Sequence, residues 1–167
     1  MHHLSKMPRA KTVLQSTFPY HVTARCHNKE WFKGPIETVW DIFSQQLTFL
    51  NWGFNMNIHA FVLMNNHFHL IVSTPESNLS SGMSFFLREI ANSINKKSGR
   101  INQVFGGPHF RCTIESPLYY LHCYKYVYLN PVKAGLSSNC ESYPYSSLNF
   151  LLGGSTASFP VACDDTL

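Results

Sequence analysis

The tripeptide His67-Phe68-His69 is the first candidate for chemistry in this sequence. It opens an apolar run, 67–73, that predicts a β-strand. Because side chains alternate between the faces of a strand, both imidazoles point the same way and Phe68 points into the core. Two imidazoles on one face can share a divalent cation, and a site with so few protein ligands is open, as catalytic metal sites are. Two histidines at this spacing also occur in strands where they are purely structural.

A cluster of tyrosines over 119–128 is the second candidate. At 3.6 residues per turn, Tyr124 and Tyr128 share one stripe of a helix, whereas Tyr126 and Asn130 share another. The first stripe suits the core and the second suits a polar site. A tyrosine hydroxyl is a poor nucleophile at neutral pH, but a metal that polarises a phosphate offsets this weakness. A tyrosine nucleophile would therefore require a bound metal ion, and the two histidines are the residues that could hold one.

The elements that must position these residues alternate in the order β-α-β-β-α-β-α. The pattern predicts a strand at 20–25, a helix over about 35–51 that stops at Gly53, a hairpin over 57–73 that turns at 65–66, a helix through 83–94, a short strand within 104–114, and a helix over 118–129 closed by Asn130-Pro131. Paired strands with helices returning over one face form the ferredoxin-like split βαβ pattern. We therefore predict an α+β sandwich with an antiparallel sheet and its helices on one face.

The composition favours one domain with a core. Of 167 residues, 44% are apolar and 13% are charged, against roughly 25% charged in typical domains. The five cysteines include no C-x-x-C pair, which argues against a zinc ribbon or a disulfide framework. We predict a catalytic domain over 16–150 between flexible segments at 1–15 and 151–167. Without a signal peptide or membrane helix in view, we expect a cytoplasmic protein with no membrane partner.

Five segments of the sequence carry a resemblance to a known family, and they span 19–25, 60–70, 104–112, 126–136 and 143–147. Together they resemble the single-tyrosine HUH transposases, which include the transposases of small insertion sequences. Their order and spacing are more specific than any one of them, and the last two resemble the REP-associated tyrosine transposases in particular. The sequence departs from the family at Asn65, where the family commonly has proline, and this changes a turn but neither histidine.

This resemblance implies the ferredoxin-like fold and assigns the candidate residues. It implies that His67 and His69 bind Mg²⁺ or Mn²⁺ and that Tyr126 is the nucleophile. Asn130 becomes a third metal ligand, at a position where insertion-sequence relatives favour glutamine. The implied reaction is DNA transposition: metal-dependent cleavage and strand transfer on single-stranded or hairpin DNA with palindromic repeats, through a 5′-phosphotyrosine intermediate.

Basic residues near the predicted site are the expected DNA contacts. Arg25 ends the first strand, Lys125 and Lys133 flank the tyrosine helix, and Arg111 lies in the predicted short strand. Contacts to phosphate give affinity without sequence choice. The net charge of +4 permits a nucleic-acid partner without requiring one. Bound to DNA, the protein would be nucleoid-associated, and both a monomer and a homodimer with shared active sites remain open.

Other interpretations compete with this one. Tyr124 and Tyr128 are rival nucleophiles. His21-Val22-Thr23 matches one tripeptide of the two-histidine phosphoesterases, but a second copy is missing, so we expect His21 to be structural or beside the site. A His-x-His-x-His nucleotide hydrolase needs a third histidine where Ile71 stands. The non-enzymatic alternative is a domesticated module that binds hairpin DNA and has lost transposition.

Overall fold

The protein is described by a computed structural model over residues 14–162. Its elements follow the predicted order, with one short helix added at the end. They are β1 (Tyr20–Arg25), α1 (Ile36–Phe54), β2 (Asn57–Leu63), β3 (His67–Ser73), α2 (Leu79–Ser98), β4 (Phe110–Thr113), α3 (Pro117–Lys133) and α4 (Ser147–Leu151). A single 3₁₀ turn, His27–Lys29, follows β1.

The four strands form one antiparallel sheet in the order β2-β3-β1-β4. The first strand lies inside the sheet, paired with β3 on one side and with β4 on the other. The second and third strands form the predicted hairpin. Two βαβ units are thus interleaved, which is the split βαβ arrangement. The predicted α+β class with an antiparallel sheet is confirmed.

One face of the sheet is covered by α1 and α2. Phe43 of α1 and Phe86 of α2 are fully buried, with ring centroids 5.7 Å apart. Both meet Phe68 of β3 edge-on. Such aromatic pairs contribute about 0.5–1.5 kcal/mol each beyond the area they bury. The main core therefore rests on the strand side chains that point away from His67 and His69.

The third helix lies on the opposite face of the sheet, so the prediction that all helices lie on one face is wrong. The hairpin carries a second apolar set on that face, and an apolar sheet surface must be covered by another layer. This second core consists chiefly of Ala60, Val62 and Ile71 on the sheet and Tyr120, Cys123 and Val127 on α3. The helix that bears the tyrosines is therefore packed directly over the face that bears the two histidines.

The end of α1 differs from the prediction. The helix passes Gly53 and ends at Phe54, and the next residue, Asn55, takes the left-handed conformation with φ 51°. The Met56 N–H then donates to the Leu50 carbonyl at 3.3 Å. Asparagine tolerates this conformation better than other side-chain-bearing residues, so it can close a helix as glycine does. The expected stop at Gly53 is wrong for this reason.

The end of α3 also differs, because the helix runs through Pro131 to Lys133. Proline has no N–H to offer the carbonyl of Val127, four residues earlier. The side-chain Nδ2 of Asn130 donates to the Tyr126 carbonyl at 2.7 Å and reaches the Val127 carbonyl at 3.5 Å. This side chain replaces part of the main-chain hydrogen bonding that the proline removes. The helix therefore continues, and the predicted end at Asn130-Pro131 is wrong.

Part of the expected C-terminal tail is packed onto the domain. The Phe159 ring is buried against Trp40 and Phe61. The Ala162 N–H donates to the carbonyl of Ile58 at 2.7 Å. The rest of that tail, 163–167, and most of the expected N-terminal segment, 1–13, lie outside the described residues.

Over residues 14–162, Cys26, Cys112, Cys123 and Cys140 are all free thiols. None of the helices in the same stretch is both long enough and apolar enough to cross a membrane.

Candidate active site

The pairing of β1 with β3 forms the floor of a cleft on the α3 face of the sheet. In the register, His67 lies opposite Arg25 and His69 lies opposite Thr23. Phe68, between the two histidines, is buried in the main core. The predicted alternation of this strand is confirmed. Because paired residues point to the same face of a sheet, all four cleft residues share one surface.

The third helix brings Tyr126 to that surface. The helix begins at Ser116, whose hydroxyl accepts the Tyr119 N–H at 3.2 Å, with Pro117 in the first helical position. Both are favoured at helix starts. The ring centroid of Tyr126 lies 5.4 Å from that of His69, and the Tyr126 side chain is 45% exposed. Tyr126 and the two histidines therefore lie close together within one chain.

The two rival tyrosines of α3 are tied into the second core. The hydroxyl of Tyr124 donates to the His59 carbonyl at 3.3 Å. The hydroxyl of Tyr128 lies 3.0 Å from Oγ of Ser147, and burial raises the pKa of Tyr128. Both rings pack against the apolar cluster beneath α3. Of the three, Tyr126 is the one that lines the cleft.

The histidines of the cleft lie where the protein favours the neutral imidazole. Burial, assisted by the charge of Arg25, lowers the pKa of His67 to about 4. Burial is also the main reason that the pKa of His69 falls to about 3, with His21, His67 and Arg25 acting in the same direction. Burial lowers the pKa of His21 as well. Neutral rings retain the lone pairs that a metal ion requires.

Hydrogen bonds at Nδ1 hold both predicted ligand rings. Nδ1 of His67 lies 2.7 Å from Oδ1 of Asn66, which only accepts, so Nδ1 carries the proton and Nε2 carries the lone pair. Nδ1 of His69 lies 3.0 Å from Nε2 of His21. Nε2 of His69 is buried and has no hydrogen-bond partner among residues 14–162. Such a nitrogen is costly in an apolar setting, and a bound cation would satisfy it.

These residues fit an open divalent-metal site. The His67 and His69 ring centroids lie 5.1 Å apart, which is close enough for the two rings to share one ion. In the described part of the chain, no group of three or more His, Cys, Asp or Glu side chains is placed to hold a metal. A cation bound here would take its remaining ligands from oxygen atoms, which Mg²⁺ and Mn²⁺ prefer.

Asn130, the predicted third ligand, lines the same cleft one turn after Tyr126. Its Nδ2 is committed to the Tyr126 carbonyl. Oδ1 is therefore the atom of this side chain that could contact a cation or a substrate. Asn130 thus stabilises α3 and also contributes a polar group to the lining of the cleft.

The cleft has a volume of about 610 Å³ and a positive lining. Arg25 and Lys29 line it, and none of its lining residues is acidic. Nζ of Lys133 lies 5.5 Å from the ring centroid of Tyr126. The Phe110 side chain, 63% exposed, lies at the cleft on β4. Basic groups with an exposed aromatic ring suit the phosphates and bases of a single nucleic-acid strand.

Two of the predicted DNA contacts lie apart from this cleft. Lys125 is exposed on α3, but it is not among the lining residues. Arg111 pairs with Val22, whose side chain points into the main core. Arg111 therefore lies on the sheet face opposite the cleft. The structure groups Arg25 and Lys133 with Tyr126, and it separates Arg111 and Lys125 from them.

Two further residues of the site, His21 and Lys29, were not predicted as ligands, nucleophiles or DNA contacts. His21, expected to be structural or beside the site, lies beside it, with its ring centroid 5.2 Å from that of His69 and 5.8 Å from that of Tyr126. The alternation of β1 predicts that His21 shares a face with Arg25, but only the pairing with β3 brings it to the other histidine. Lys29 reaches the cleft through a left-handed backbone with φ 58°. No sequence signal indicates that conformation.

The fold and the cleft together define an α+β protein in which a tyrosine on a helix and two histidines on an antiparallel sheet line one cleft. No model of a known protein family matches the sequence, and no curated protein matches it. Among solved structures, the chain is similar to a REP-associated tyrosine transposase bound to a REP hairpin. The TM-score is 0.72 at 19% sequence identity, over 88% of this chain and 86% of that one. The likeness that the sequence bears to this family is thus confirmed in the fold.

A second solved structure, a proposed transposase from Deinococcus radiodurans R1, is more distant. It matches with a TM-score of 0.48 and 12% identity, over 74% of this chain and 95% of that chain. This likeness is too weak to add to what the first structure indicates.

Proposed function

We propose that this protein is a tyrosine transposase that cuts and rejoins single-stranded DNA through a covalent bond to Tyr126. The proposal rests on the proximity of Tyr126 and His69. Their ring centroids lie 5.4 Å apart in a positively lined cleft of one chain. The fold shared with the REP-associated tyrosine transposase supports the same conclusion.

His67 and His69 would hold one divalent cation, Mg²⁺ or Mn²⁺, through their Nε2 atoms, with Oδ1 of Asn130 as a further candidate ligand. When bound, this cation supplies a positive charge that polarises the scissile phosphodiester. The buried, unpartnered Nε2 of His69 is the observation of this chain that supports a ligand at that point.

In the proposed reaction, the Tyr126 hydroxyl attacks the phosphorus of a DNA phosphodiester. The hydroxyl gives its proton to water, which reaches this half-exposed side chain. A bond forms between Oη and phosphorus, and the bond from phosphorus to the 3′ oxygen breaks. That oxygen takes up a proton and leaves as a free 3′-OH, while the 5′ side stays on Tyr126 as a phosphotyrosine. Attack by a 3′-OH on this ester reverses the sequence, reseals the DNA and frees the tyrosine without ATP.

Binding of the DNA falls to the basic and aromatic residues of the cleft. Arg25, Lys29 and Lys133 are suited to phosphate contacts, which position a strand without reading its sequence. Phe110 offers a ring on which a base can stack. The structural neighbour is bound to a REP hairpin, and this supports a hairpin as the substrate here.

The proposal is tested with a pool of single-stranded hairpin oligonucleotides with randomised flanking sequences, incubated with the protein and Mn²⁺ or Mg²⁺. We expect a protein–DNA adduct that survives denaturing electrophoresis and that mass spectrometry maps to Tyr126. Chelation of the metal should abolish it.

The outcomes separate the enzyme from the DNA-binding module. Binding of hairpin DNA with no adduct under either metal would contradict the enzymatic proposal and favour the domesticated module. An adduct on Tyr124 or Tyr128 would leave the reaction standing but overturn the assignment of the nucleophile.

A further inference from the structure

His21 is neither a predicted ligand nor the predicted nucleophile, yet it holds one of the ligands. Its Nε2 lies 3.0 Å from Nδ1 of His69, with ring planes only 20° apart. Two ring nitrogens at this distance share one hydrogen bond, in which one carries the proton and the other accepts it. The direction of that bond decides the tautomer of His69.

Only one direction leaves His69 able to bind a cation. If His21 donates, the neutral His69 must carry its proton on Nε2, which is buried and faces no acceptor among residues 14–162. If His69 donates through Nδ1, Nε2 keeps a lone pair instead. A buried donor without an acceptor is costly, whereas a lone pair can be satisfied by a cation. The surroundings of Nε2 therefore favour donation from His69 to His21.

We propose that His21 is a positioning residue that fixes the tautomer and orientation of the His69 ring, so that Nε2 presents its lone pair to a divalent cation. The inference rests on the proposed function for the role of His69 as a ligand. To accept at Nε2, the neutral His21 must hold its own proton at Nδ1.

The other ligand has a matching support. Nδ1 of His67 lies 2.7 Å from Oδ1 of Asn66, an acceptor on the turn that precedes β3. Each ligand ring thus has a partner for its Nδ1, as is usual for histidines that bind metals. The two partners differ in origin, because Asn66 belongs to the same hairpin as the ligands and His21 comes from the neighbouring strand.

The test replaces His21 while keeping the space that its ring fills. The Tyr126 ring meets it edge-on with centroids 5.8 Å apart, so truncation to alanine would also loosen the nucleophile. His21→Phe keeps a ring and removes the acceptor. His21→Gln keeps an acceptor in its amide oxygen. His122→Phe is the matched control, because His122 is exposed on α3 and does not line the cleft.

Two readouts are measured on the protein without DNA. Binding of Mn²⁺, followed by the electron paramagnetic resonance of the free ion, should weaken by about 10–100-fold in His21→Phe, the usual effect of losing such a partner. It should change little in His21→Gln and not at all in His122→Phe. Nitrogen-15 spectra of the imidazoles should place the His69 proton on Nδ1 in the wild type and on Nε2, at least in part, in His21→Phe.

The outcomes separate this inference from the proposed function. Unchanged Mn²⁺ affinity and an unchanged His69 tautomer in a folded His21→Phe variant would overturn the role of His21 and leave the metal site intact. Absence of Mn²⁺ binding by the wild type would contradict the metal site itself. Should His21→Phe fail to fold, the wild-type spectrum still decides, because a His69 proton on Nε2 would overturn the inference. A scalar coupling between Nδ1 of His69 and Nε2 of His21, with the shared proton bonded to Nδ1 of His69, would support it.

Discussion

Tyr126 meets His69 edge-on, with ring centroids 5.4 Å apart and ring planes at 82°. The contact exists because α3 crosses the sheet face on which β3 presents its histidines, covering the second apolar set of the hairpin. The packing that buries Val127 therefore also delivers its neighbour Tyr126 to the cleft. A fold of this kind places the proposed nucleophile and the proposed metal ligands in one chain.

The first prediction concerns the identity of the nucleophile. We expect Tyr126→Phe to lower formation of the covalent DNA adduct by about three orders of magnitude or more, because it removes the attacking oxygen. Thermal unfolding should barely change, since the hydroxyl belongs to a half-exposed side chain. The measurement is the rate of adduct formation on hairpin DNA with Mn²⁺.

The matched controls are Tyr124→Phe and Tyr128→Phe. Each removes a hydroxyl that is hydrogen-bonded in the second core, so each should cost about 1 kcal/mol in the free energy of unfolding and keep most of the adduct-forming rate. Full activity in Tyr126→Phe would refute the assignment.

The second prediction concerns catalysis within one chain. Because Tyr126 and His67 lie in the same cleft of one chain, a mixture of Tyr126→Phe and His67→Ala proteins should form no more adduct than either variant alone. Recovery of activity on mixing would instead show that the tyrosine of one chain works with the histidines of another. Analytical ultracentrifugation of the mixture checks whether the two variants associate at all.

Much of the site could be predicted from local sequence pattern. The alternation of 67–73 places His67 and His69 on one face and Phe68 on the other, and the pairing pattern of the strands agrees. The helical period separates Tyr126 from Tyr124 and Tyr128. These relationships depend on the geometry of a single strand or helix, which period-two and 3.6-residue patterns specify.

The relationships between elements could not be predicted in this way. The contact of His21 with His69 depends on the register of β1 against β3, and nothing in either strand alone encodes that register. The placement of α3 on the opposite face depends on how much apolar surface the assembled sheet leaves uncovered. Arg111 was expected near the site, but its pairing with Val22 turns it to the other face.

The third prediction concerns the proline inside α3. The Asn130 side chain donates to main-chain carbonyls near the point where Pro131 lacks an N–H. Asn130→Ala should therefore lower the free energy of unfolding by about 1–2 kcal/mol. In a Pro131→Ala background, which restores the N–H, the same substitution should cost less.

Urea unfolding of the two single variants and the double variant directly measures the free-energy coupling between the substitutions at Asn130 and Pro131. Equal costs of Asn130→Ala in both backgrounds would mean that the side chain does not compensate for the proline. A loss of adduct formation in Asn130→Ala that exceeds its loss of stability would indicate a role for Oδ1 in the site as well.

The fourth prediction concerns the dependence of stability on pH. The folded protein holds the pKa of His67 at about 4 and that of His69 at about 3, whereas both lie near 6.5 in an unfolded chain. As pH falls below 6.5, the unfolded state binds protons that the folded state does not. The free energy of unfolding must therefore decrease as pH decreases, and the contribution of these histidines is complete only above about pH 6.5.

Between pH 7.5 and 5 we expect this effect to reach about 2 kcal/mol, after a reduction for the partial exposure of His67. Urea unfolding at the two pH values should reveal it in the absence of metal.

The double variant His67→Gln/His69→Gln should lose most of that pH dependence. The control His122→Gln, which replaces an exposed histidine on the same domain, should retain it. An equal dependence in the wild type and the double variant would mean that the cleft does not hold these rings neutral. Excess Mn²⁺ should raise the free energy of unfolding by nearly the same amount at both pH values, because the folded rings are already neutral at pH 5 and bind the ion without releasing a proton.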